Sequence, residues 1–63
     1  MPYDEALAVA MNREKAAFRL YTDLSEAVDD PALQALFRSL AREEARHKLR
    51  FELEYDVFVL KEN

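Results

Sequence analysis

The sequence contains no glycine and no cysteine, and only two prolines, Pro2 and Pro31. The lack of glycine argues against hairpins of strands, whose tight turns depend on it. Without cysteine there is neither a disulfide scaffold nor a thiolate-ligated zinc site. So few chain breakers suit long helices. Long apolar runs are also missing, since no stretch approaches the roughly 20 residues needed to span a bilayer. The start, Met1-Pro2-Tyr3-Asp4-Glu5, is acidic where a signal peptide would be basic. Basic charge is in deficit as well, with a net charge of −4, which disfavours nucleic acid as a partner. The expectation is a cytoplasmic protein that engages neither nucleic acid nor membrane. Its 63 residues form one unit near the lower size limit for a chain folding alone.

What is present is helical periodicity, broken once, at Asp29-Asp30-Pro31. Asp30 can cap a helix that has Pro31 at its first position, where the missing N–H does no harm. The spacing predicts a helix over about 3–28, a turn at 29–30 and a second helix over about 31–62. A connection this short makes the helices antiparallel. Leu7, Met11, Phe18, Tyr21 and Val28 follow three-four spacing in the first helix. Leu33, Phe37, Leu40, Phe51, Tyr55 and Phe58 do so in the second. Two helices cover only one side of each stripe, and Leu53, Val57 and Leu60 are left over. The fold expected is therefore all-α: an antiparallel two-helix hairpin that completes a four-helix bundle as a homodimer or higher homo-oligomer.

Polar residues interrupt the stripes at a few positions. Glu14 falls between Met11 and Phe18, while Glu44 and His47 fall between Leu40 and Phe51. A buried, unpaired carboxylate costs several kcal/mol, so a divalent cation or an ion pair with arginine or lysine must compensate for it. Height favours the cation. At ~1.5 Å per residue, all three side chains stand ~23–26 Å from the turn, on facing helices. Glu44 and His47, at i and i+3, point the same way. A two-fold axis at this level would unite two clusters into four glutamates and two histidines, a set suited to a di-iron centre. Taken singly, a Glu-x-x-His is a common chance pattern and a core histidine is more often hydrogen-bonded than ligating. The conjunction of three such residues at one height is what points to a metal. Tyr21, two turns from Glu14, either donates its hydroxyl to a ligand carboxylate or packs as an ordinary core aromatic. Arg38, Arg42, Arg46 and Arg50 form an i, i+4 ladder, read as a solvated face exchanging salt bridges with Glu43 and Glu54.

At these residues the sequence resembles the ferritin-like superfamily and, within it, the rubrerythrin family. Glu14-Lys15-Ala16-Ala17-Phe18-Arg19-Leu20-Tyr21 is similar to that family's first helix, whose ligand glutamate precedes a tyrosine by seven residues. Asp30-Pro31 and the segment from Leu36 to His47 are similar to its second helix. The resemblance implies Glu14 as a terminal iron ligand, Glu44 as a bridging carboxylate and His47 as the nitrogen ligand. Rubrerythrins usually carry two such hairpins per chain; a single one is similar to the encapsulated ferritins, which build the site between subunits. Ala17 stands where rubrerythrins tend to have an additional glutamate, and no cysteines are present for a rubredoxin-like iron domain.

The function expected is oxidation of ferrous iron by oxygen or peroxide, with Glu14, Glu44 and His47 as catalytic metal ligands and two irons per dimer, manganese or zinc being the alternative metals. The competing readings are a rubrerythrin-like peroxidase, a non-catalytic metal-binding bundle and a metal-free oligomerisation module.

Overall fold

The computed structural model describes residues 2–62, and Met1 and Asn63, included in the single unit expected from the sequence, lie outside the described residues. Two helices account for nearly all of it: α1, Tyr3–Ala27, and α2, Pro31–Glu62. Asp4 and Glu5 occupy the first turn of α1, where negative charge offsets the unpaired amides. The Pro2 carbonyl also accepts the Ala6 N–H at 3.0 Å.

The turn forms without glycine, and none of the described residues has a positive φ. Val28 becomes extended, with φ −93° and ψ 145°, while its amide still donates to the Leu24 carbonyl at 3.2 Å. Pro31 disfavours the helical region for Asp30, which turns from linker into cap. The Asp30 carboxylate accepts the Ala32 N–H at 2.8 Å, and its carbonyl accepts the Gln34 N–H at 2.9 Å. The Gln34 side chain then donates back to the Val28 carbonyl at 2.9 Å, tying α2 to the end of α1.

The helices pack as an antiparallel hairpin of 49 × 17 × 11 Å. Aromatic contacts set the register at both ends. Near the turn Tyr21 stacks on Phe37 with ring centroids 6.5 Å apart. At the far end Tyr3 meets Phe58 at 5.1 Å and donates its hydroxyl to Glu54 at 3.1 Å. The interior between them is thin. Only Leu7, Ala41 and Ser25 are buried among the described residues, and no large side chain is fully enclosed. Ser25 donates to the Thr22 carbonyl at 2.7 Å, so its burial strands no donor.

Phe18 and Leu33, expected on the facing stripes, are each 42% exposed. Small residues occupy the line of closest approach, and bulky neighbours are displaced to the flanks. Leu53, Val57 and Leu60 remain exposed, as the leftover-surface argument requires. Among the described residues, no helix is long and apolar enough to cross a membrane.

Candidate metal centre

Glu14 comes from the middle of α1, and Glu44 and His47 from adjacent turns of α2. The register that sets Tyr21 on Phe37 and Tyr3 on Phe58 leaves Glu14 facing both of them. His47 Nδ1 lies 3.5 Å from Glu14 Oε2 and 3.9 Å from Glu44 Oε2. One donor atom from each of the three residues falls within a common 4.8 Å. The expected ligands are thus neighbours in a single chain, before any partner is added.

The ion-pair alternative lacks its cation. Among the described residues, Arg46 pairs with Glu43 at 3.1 Å and Lys48 with Glu52 at 2.6 Å. The two central carboxylates have only His47 within ion-pair distance. Glu14 Oε2 is out of contact with solvent and accepts no hydrogen bond. An orphaned carboxylate oxygen, a second carboxylate and an imidazole nitrogen around one point suit a divalent cation. Mixed oxygen and nitrogen donors fit iron, manganese or zinc rather than a soft thiophilic metal.

Glu14 also perturbs Glu44. Glu44 has its pKa raised above the usual 4.5, first by hydrogen bonding with Glu14, then by desolvation and by repulsion from the same carboxylate, with His47 partly opposing the shift. A carboxyl with a raised folded pKa binds more protons folded than unfolded. Its stabilising contribution is present below the unfolded value and is lost as pH rises through the folded one. Metal-free protein should therefore melt at a higher temperature as the pH is lowered from 7 towards 5. Metal-loaded protein should do the opposite, because protons compete with the cation for its ligands. Circular dichroism melts with and without a chelator test this. Parallel shifts in both forms would contradict the facing-carboxylate geometry.

Glu14 and Glu44 side chains are 20% exposed and that of His47 48%, so the site is open on the histidine side. A groove lined by His47, Arg50, Phe51, Leu53, Glu54 and Val57 continues from there along α2. Tyr21 lies on the same stripe as Glu14, with its ring on Phe37. None of the hydrogen bonds among the described residues links its hydroxyl to the three donors. Ala17, one turn beyond Glu14, supplies no donor atom. In the arginine ladder, Arg46 does bridge Glu43, whereas Glu54 accepts instead from Tyr3. Sequence reasoning missed that cross-helix contact, although the height argument that joined Glu14 to Glu44 also places Tyr3 beside Glu54.

Over residues 5–63 the chain matches the family model described as Rubrerythrin. Comparison with curated proteins and with solved structures returns no match.

Proposed function

Starting from the chain's membership of the rubrerythrin family, one of iron-binding ferritin-like proteins, we propose that two copies close a four-helix bundle around paired sites at which ferrous iron is oxidised. The observation that carries this reading is the position of His47. It is half exposed, it adjoins two carboxylates that lack a cation, and it opens onto a groove in which Phe51, Leu53 and Val57 are joined by Arg50 and Glu54.

The broad side of the hairpin that carries His47 follows from helix geometry. At about 100° per residue, Ala17, Leu20 and Leu24 of α1 share it with Leu36, His47 and Phe51 of α2, and Arg13, Glu43 and Glu54 lie among them. The opposite side carries Lys15, Arg19, Arg38 and Arg42. A compact monomer of 7.4 kDa exposes about 4,200 Å². This hairpin exposes 4964 Å². The excess of roughly 750 Å² is close to the ~800 Å² each partner loses in a standard interface. A copy related by a two-fold axis at the level of Glu44 would cover it and bring its own three donors to the first set.

Ferrous iron is the substrate in this reading. Two bound ions supply two electrons to dioxygen, which takes up two protons and leaves as hydrogen peroxide. The carboxylates of Glu14 and Glu44 would each offer an oxygen donor to the entering cation, which competes with protons for them. Their ionised oxygens hold the ferric product more strongly than the ferrous substrate, because hard oxygen donors favour the harder ion. His47 supplies the nitrogen donor through Nδ1, the atom facing both acids. Leu40 and Phe51, one turn either side of the pair, restrict water on the approach. Dioxygen is favoured over sustained peroxide turnover as the oxidant, since the chain has Ala17 rather than a further carboxylate.

The test is to load the protein with Fe(II) under anaerobic conditions, admit air, and follow oxygen uptake together with ferric absorbance. Binding should saturate at one iron per chain, and oxidation should outrun that in buffer. Saturation at one iron per two chains would indicate a single ion on the axis. Oxidation at the buffer rate, with tight binding of zinc or manganese, would move the assignment to a non-catalytic bundle. Rapid peroxide consumption sustained by an added reductant would move it to a peroxidase.

A further inference from the structure

The dimer just described leaves a second apolar strip uncovered. Leu49, Leu53, Val57 and Leu60 are each half exposed or more, and Leu60 reaches 76%. At about 100° per residue the four fall within an arc of about 80° on α2, centred opposite Glu44. The side of α2 that holds Glu44 is occupied by α1, and the His47 side is occupied by the proposed partner. Neither reaches the centre of this strip. The two surfaces are nevertheless continuous, because Leu53 and Val57 also line the groove that starts at His47.

We propose that this strip is a second interface between copies of the chain, in which α2 of one dimer packs in parallel against α2 of another. The occupant is identified by self-complementarity. Leu53, Val57 and Leu60 have the four-three spacing of a coiled-coil seam, and Asp56 and Lys61 flank it on opposite edges. Parallel helices bring a residue on one edge against the residue five positions further along on the opposite edge of the partner. Asp56 therefore meets Lys61 of the second copy, twice across the two-fold axis. Antiparallel helices would instead set the Asp56 edge against the Asp56 edge of the second copy, and likewise for Lys61. Among the described residues, Asp56 and Lys61 enter no salt bridge.

Leu49→Glu and Leu60→Glu test the strip at its positions furthest from the His47 side. Sedimentation of the full chain should give an assembly larger than a dimer. Either substitution should return it to a dimer, weakening the second association by at least about a hundredfold, since two leucines per contact are replaced by charges. Iron binding per chain should be unchanged. Asp56→Lys should also weaken the larger assembly, and adding Lys61→Asp should restore it. A wild-type chain that stays dimeric at all concentrations would overturn the proposal, as would no rescue by the paired reversal. Conversion of Leu60→Glu to a monomer that loses iron would assign the strip to the metal-site interface instead.

Discussion

Replacing Glu44 with alanine should weaken iron binding at least about a hundredfold, while Glu43→Ala, one residue away, leaves it nearly intact. The contrast follows from where the two side chains point. Glu44 faces Glu14 across the helix contact, one turn from His47, whereas Glu43 is held by Arg46 on the surface. Glu14→Ala and His47→Ala should resemble Glu44→Ala, and iron oxidation should vanish with binding in all three. Without metal, the Glu44→Ala protein should be at least as stable as the parent, because the substitution removes a carboxyl that Glu14 disfavours in its charged form. Chelator competition and metal content measure the binding, and chemical denaturation the stability. Equal metal loss from Glu43→Ala and Glu44→Ala would show that the register is wrong.

Dilution should unfold the protein. With only three of the described residues buried, a single hairpin offers little to offset the conformational entropy of ordering the chain. Folding should therefore be coupled to association, and the melting temperature should depend on concentration. At about 0.7 kcal/mol per residue, unfolding a pair of these chains absorbs ~90 kcal/mol, which corresponds to a fall of about 5 °C for each tenfold dilution. Circular dichroism melts over a hundredfold concentration range would show it. A melting temperature independent of concentration, with full helicity, would mean the hairpin stands alone and would remove the basis for a shared site.

Much of this architecture is legible in the sequence because its signals are local. Asp30-Pro31 writes the turn, and the hydrogen bonds of Asp30 carry out the capping its position suggests. Helical rise makes Glu14, Glu44 and His47 level once that turn is fixed, so their meeting needs no long-range information. Burial is harder to read. Three-four spacing marks a broad apolar arc without saying which part touches the neighbouring helix. The periodicity therefore placed Phe18 and Leu33 inside, whereas Ala41 and Ser25 hold the line of contact because small side chains let the backbones approach. Leu49 drew no notice for a related reason: it stands off the stripe, and its exposure becomes meaningful only when the other faces of α2 have been assigned.

All three donors reside on one hairpin, and this limits what a shared centre can do. If each copy brings an identical half, the two ions have identical surroundings, and nothing in the resting pair distinguishes a first site from a second. Affinities and reduction potentials would then be equal until the first ion or electron arrives, and any difference must come from interaction between occupied halves. A chain with two unlike hairpins can assign separate tasks to its two irons by mutation of one half alone. In a pair of identical copies every substitution would be made twice, so specialisation within such a pair would be closed off unless the copies first became different chains.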